Sequence, residues 1–108
     1  MTINEKIFSD AITVDKNISI ELPVVKKGIK TSVSYNGILN NSGADKVYLH
    51  YGFDGWKNTE TIPMYKTHGN YSTEVKVDGK DELNFCFKDN ANNWDNNNGT
   101  NWKVNINS

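Results

Sequence analysis

Val47-Tyr48-Leu49-His50-Tyr51 and Leu83-Asn84-Phe85-Cys86-Phe87-Lys88 are the stretches that decide the fold. Large apolar side chains recur at every second position: Val47, Leu49 and Tyr51 in the first, Leu83, Phe85 and Phe87 in the second. Successive side chains of an extended chain point to opposite faces, so a period of two marks a strand with one buried face. Outward from these stretches the same period returns in Ile18, Ile20 and Leu22, in Ile29, Thr31, Val33 and Tyr35, in Tyr71, Thr73, Val75 and Val77, and in Trp102, Val104 and Ile106. Turn signals separate the runs at Lys27-Gly28, Asn36-Gly37, Ser42-Gly43, His68-Gly69-Asn70 and Asp78-Gly79. About seven short strands at this spacing predict an all-β fold, an immunoglobulin-like antiparallel β-sandwich, with a small barrel as the main rival.

Composition agrees. Val, Ile and Thr together far outnumber Ala, Leu and Met, and β-branched side chains lose χ1 freedom in helices but pack well on a pleated surface. No amphipathic helix stands out. The chain holds 17 asparagines, an excess that belongs to turns and loops. Twelve Lys+Arg against 13 Asp+Glu leave a formal charge of -1, and there is no arginine. A nucleic-acid module normally presents a strongly basic face, so nucleic acid is not an expected partner. No apolar run is long enough for a membrane helix, so no membrane partner is expected either. Cys86 is the lone cysteine, which excludes an internal disulfide framework and a multi-cysteine zinc site.

The 108 residues read as a single domain. Residues 28–108 carry the sandwich pattern, and residues 1–27 are an N-terminal segment read as edge strands or a leader. A secretory signal, with its basic start and unbroken apolar stretch, is not evident. The expected location is cytoplasmic if Met1 is the native start, and secreted if the domain is excised from a larger enzyme.

Chemistry concentrates in two places, Tyr48 to Trp56 and Lys88 to Gly99. Alternation puts Val47, Leu49 and Tyr51 on the core face, so Tyr48 and His50 share the outward face. Trp56 follows in a glycine-flanked loop. Trp94 sits in a run of Asn, Asp and Gly that offers no hydrophobic pattern. Each indole either folds back as a lid on the core or is offered to a ligand. Exposed indoles ringed by amides suit carbohydrate: the ring face packs on the C–H face of a pyranose, and Asn, Asp and Lys hydrogen-bond its hydroxyls. Lys88 at its strand end either reaches a sugar hydroxyl or faces water, and Asp95 and Asn96 supply further polar groups. Trp102, alternating with Val104 and Ile106, is expected in the core. Cys86 is expected to be an unreactive structural thiol and His68 a solvated turn residue.

Taken together, Val47-Tyr48-Leu49-His50-Tyr51-Gly52, Trp56, the strand Leu83 to Asp89 and the loop Asn92-Asn93-Trp94-Asp95-Asn96-Asn97 resemble the starch-binding modules of carbohydrate-binding families 25 and 53. The resemblance runs from about residue 28 to residue 106. It implies a non-catalytic module for α-1,4-linked glucans (starch, glycogen or malto-oligosaccharides), often attached to or associated with an amylolytic enzyme. It also implies an angled platform made of His50, Trp56 and Trp94, with Tyr48 as an additional aromatic. No cofactor is implied.

Two other readings suit some of these residues. An immunoglobulin-like interaction domain could use the exposed tryptophans as interface anchors. Asp89 and Asp95 could be imagined as a glycosidase pair or as calcium ligands, but the loop lacks the glycine and distal glutamate of an EF-hand. No metal site is expected.

Overall fold

The computed structural model describes residues 12–15, 18–20, 25–26, 28–41, 43–67 and 69–107. Expectations placed on residues 1–11, Leu22, Lys27, Ser42 and His68 lie outside the described residues. Among those described, the elements are β1 (Ile12–Asp15), β2 (Ile18–Ile20), β3 (Val25–Lys26), β4 (Lys30–Tyr35), α1 (Ile38–Asn41), β5 (Val47–Phe53), β6 (Lys57–Pro63), β7 (Tyr65–Thr67), β8 (Asn70–Lys76), β9 (Glu82–Asp89), β10 (Trp94–Asp95) and β11 (Trp102–Asn107).

The strands form two facing sheets. One has the order β1-β2-β4-β8-β7, the other β3-β11-β9-β5-β6 with β10 added on β9. Pairing is antiparallel except where β3 runs parallel to β11, through Val25 opposite Ile106. This is the all-β sandwich that the alternation predicts. No helix among the described residues is long and apolar enough to cross a membrane. Among the described residues the one departure from pure β structure is α1, a single helical turn too short to leave a periodic signal.

The inward faces interlock in one core. Val33, Tyr35, Tyr71 and Val75 from the first sheet meet Val47, Leu49, Leu83, Phe85, Phe87 and Trp102 from the second. Tyr35 of β4 stacks on Phe87 of β9 across the sandwich, with ring centroids 4.1 Å apart and planes 26° from parallel. Each fully buried side chain of this size contributes about 1.5–3 kcal/mol relative to exposure.

The alternation fails in two instructive places. Ile29, grouped with the β4 core face, is 47% exposed, because it lies ahead of the strand in a turn whose backbone bonds to Val77. On β9 the outward residues Asn84 and Cys86 are buried along with the inward ones. Other chain segments cover that face, and they build the site. At the sheet edge, β6 is exposed along its length save for Ile62 and ends at Pro63.

Candidate functional site

His50 lies mid-strand on β5, with Thr61 of β6 opposite on one side and Cys86 of β9 on the other. Its Nδ1 is 2.7 Å from Thr61 Oγ1, which sets the ring plane. The imidazole centroid is 5.6 Å from that of Trp56, with planes 21° apart, and 5.4 Å from that of Trp94, with planes 86° apart. One indole is thus nearly parallel to the imidazole and the other nearly perpendicular. The two indoles cannot be coplanar.

The tight β5–β6 connection explains Trp56. The register slips between Tyr51 and Phe53, and Asp54, Gly55, Trp56 and Asn58 all have positive φ, Trp56 at 70°. Bulky residues rarely adopt this region, so outside contacts must hold the turn. Asp54 supplies one set: its carboxylate accepts the backbone N–H groups of Lys80, Asp81 and Glu82. Those bonds hold its pKa below the usual aspartate value. Asn84 supplies another, its Oδ1 accepting from Gly55 N–H at 3.0 Å and Trp56 N–H at 3.1 Å. Gly52 allows the approach, since a Cβ there would lie 3.0 Å from Trp56 Cα.

Trp94 is not in an irregular loop as its polar surroundings suggest. It opens the two-residue strand β10, paired opposite Lys88, and its side chain is 46% exposed. Asp89 sets up the preceding turn: its carboxylate accepts Ala91 N–H, Asn93 N–H and the Asn93 side-chain amide. The Asn93 side-chain bond, followed by the backbone ones, lowers the Asp89 pKa. After β10 the chain turns through Asn97, Asn98 and Asn101, all at positive φ. Asparagine tolerates that region better than other non-glycine residues, and here the asparagine excess finds its use.

The remaining expected site residues fall around this cluster. Lys88 extends its ammonium over two rings, 5.2 Å from the Tyr48 centroid and 5.7 Å from that of Trp94, and it donates to Asp89 O. Asn96 lies beside the indoles, with Oδ1 accepting from Gly99 N–H. Asp95 is turned to the structure itself: its Oδ2 accepts the Tyr35 hydroxyl at 2.6 Å. A shallow depression of ≈ 270 Å³ is lined by His50, Trp56, Cys86, Trp94, Asn96 and Asn101. A larger one, ≈ 480 Å³, lies on the opposite sheet with Tyr65 as its lone aromatic. Three converging rings make the smaller depression the candidate site.

Its electrostatics suit a neutral ligand. Burial, and then the nearby Lys88 charge, push the His50 pKa below 6.5, so the imidazole is neutral at pH 7. Burial pushes the Cys86 thiol up to about 11, and a protonated thiol is no nucleophile. Among the described residues no group of three or more His, Cys, Asp or Glu is placed to hold a metal. Asp89 and Asp95, imagined as an acid–base pair, are instead engaged with Asn93 and Tyr35.

Sequence reading missed Asn84, Asp54, Thr61, Tyr35 and Asn101. Asn84 left one faint signal, an amide between two apolar neighbours on a strand. Asp95, which binds Tyr35, and the partners of Asp54 are distant in sequence and left none.

The β-sandwich thus carries an open cluster of three rings, His50, Trp56 and Trp94, on one outer face. The chain belongs to the starch/carbohydrate-binding modules of family 53, whose sequence profile matches residues 31–85. Tyr48, His50, Trp56 and Asn84 fall within that match, whereas Lys88, Trp94, Asp95 and Asn96 lie beyond it. Over 80 residues the chain is 39% identical to an alpha-amylase of Clostridium acetobutylicum, covering 72% of this chain and 10% of the relative. The chain thus spans about a tenth of that relative's length. No solved structure gives a significant match.

Proposed function

We propose that this module binds α-1,4-linked glucans (starch, glycogen and malto-oligosaccharides) without catalysing their cleavage, through a platform of His50, Trp56 and Trp94. The observation that carries this reading is the angle between the indoles around the shared imidazole. An α-1,4 chain curves, so consecutive glucose faces meet two tilted rings, whereas a straighter β-1,4 chain suits a coplanar row. Lys88, Tyr48 and Asn96 border the rings and offer hydrogen bonds to vicinal hydroxyls. Asp95, held by Tyr35, retains lone pairs for a sugar hydroxyl at the loop base. The imidazole Nδ1 is engaged with Thr61, which leaves Nε2 for the ligand.

The likeness to part of an alpha-amylase supports a module attached to, or working beside, an amylolytic enzyme, and secreted when exported with it. Affinity electrophoresis in gels containing amylopectin, glycogen or a β-glucan tests the reading. Retardation by the two α-glucans and not by the β-glucan is expected. Unchanged mobility in all three gels would remove the glucan reading and favour an interaction domain that uses its tryptophans as protein anchors. Release of reducing sugar by the pure protein would instead make it an enzyme.

A further inference from the structure

Trp56 is held by a segment remote from its own hairpin. Asp54, Gly55 and Trp56 each bond to residues 80–84: Asp54 N–H donates to Glu82 O at 2.9 Å, the Asp54 carboxylate accepts three N–H groups in return, and Gly55 and Trp56 donate to Asn84 Oδ1. The Asn84 side chain is buried, with the residue 5% exposed. Its orientation is fixed from the other end, where Nδ2 donates to Glu82 Oε2 at 2.7 Å. A flipped amide would set its NH₂ against two N–H donors and its oxygen against a carboxylate, so only one orientation satisfies every partner.

We propose that Asn84 is a positioning residue that preorganises Trp56 for stacking on glucan. This rests on the platform reading above. The amide touches no sugar. It clamps a backbone turn that Trp56, at φ 70°, would not hold alone, so the indole already stands beside His50 before ligand arrives. Without the clamp, turn and side chain must be ordered on binding, and that entropy is lost from affinity.

The test is a set of mutant cycles read by calorimetry with maltoheptaose, with urea unfolding of every variant. Asn84→Ala is expected to weaken binding about tenfold through the ordering cost. On top of Trp56→Ala it should cost nothing further, while on top of Trp94→Ala it should cost its full factor. Glu82→Gln with Asn84→Asp reverses the polarity of the 2.7 Å bond and keeps an acceptor for Gly55 and Trp56. This pair should bind within about threefold of the parent, and it decides the matter if Asn84→Ala does not fold. The proposal is overturned if Asn84→Ala adds equally to both tryptophan variants, or if the reversed pair folds but binds weakly. Were Trp56→Ala and Trp94→Ala both to bind normally, the platform reading itself would fall. Were they to weaken binding while Asn84→Ala did not, only the positioning role would.

Discussion

The Tyr35 hydroxyl donates to Asp95 Oδ2 at 2.6 Å while accepting the backbone N–H of Leu39 at 3.1 Å. One phenol thus joins the core of the first sheet, the helical turn α1 and the strand that carries Trp94. Burial, followed by the adjacent Asp95 carboxylate, holds its pKa far above the usual tyrosine range, so it is always a donor. Tyr35→Phe keeps the stack on Phe87 but strips both bonds. Leaving a buried N–H and a carboxylate oxygen without this partner should cost about 1–3 kcal/mol, measured by urea unfolding. Glucan affinity should fall severalfold, because Asp95 adjoins Trp94. Unchanged stability would mean that water replaces the hydroxyl at no cost.

Trp94→Ala should leave the fold intact, since the indole stands outside the core and nearly half exposed. Truncating such an anchor commonly costs about 2 kcal/mol or more, so maltoheptaose affinity should drop at least about thirtyfold by calorimetry. Trp56→Ala should do the same. An unfolded Trp94→Ala protein would count against a binding role.

His50 has a folded pKa below 6.5, its value in an unfolded chain. As pH falls through 6.5 the unfolded chain takes up a proton first. The stability from this group is therefore complete above 6.5 and declines as pH drops towards the folded pKa. Affinity should follow the same sense, flat from pH 6.5 to 8 and weaker once the ring is charged against Lys88. Calorimetry from about pH 8 down to about pH 5 checks it, and affinity that rises on acidification would contradict it.

Asp54 has a folded pKa below 3.8 because it accepts three backbone N–H groups. Its contribution is present above pH 3.8 and is lost as pH falls through the depressed folded value. Asp54→Asn should therefore lower the urea midpoint at pH 7, and the gap with the parent protein should narrow steadily as pH falls below 3.8. A gap that does not change with pH would show that shape, not charge, fastens the turn.

Salt should matter little. Stacking and neutral hydrogen bonds release no counterions, unlike phosphate-directed binding. Maltoheptaose affinity should change less than about twofold between about 50 mM and 500 mM NaCl, where exposed ion pairs become strongly screened. Cello-oligosaccharides of equal length should bind much more weakly. Equal affinity for the two linkages would remove the argument from ring angle.

The strands were legible because each buries one face, so local alternation reports a global fact. Val47, Leu49 and Tyr51, and likewise Leu83, Phe85 and Phe87, are all buried as that rule requires. His50, Trp56 and Trp94 were legible as chemically misplaced residues: a histidine facing outward and indoles among amides. The supports were not legible. Asn84 reaches Trp56 across 28 positions and Tyr35 reaches Asp95 across 60, and no periodicity links residues so far apart. The β10 pairing escaped notice because two residues cannot display a period. Cys86 was legible as a structural thiol, and it is buried beside the indoles, where it lines the depression.

Among the described residues β6 is the edge strand beside this surface, with Thr61 holding His50 and with Lys57, Asn58, Thr59 and Glu60 exposed before Pro63 ends it. An unpaired edge is a template for a neighbour's strand, and charged residues with a terminal proline discourage such pairing. If copies of the module crowd together on the proposed glucan, that edge should keep neighbours from zipping together through their backbones.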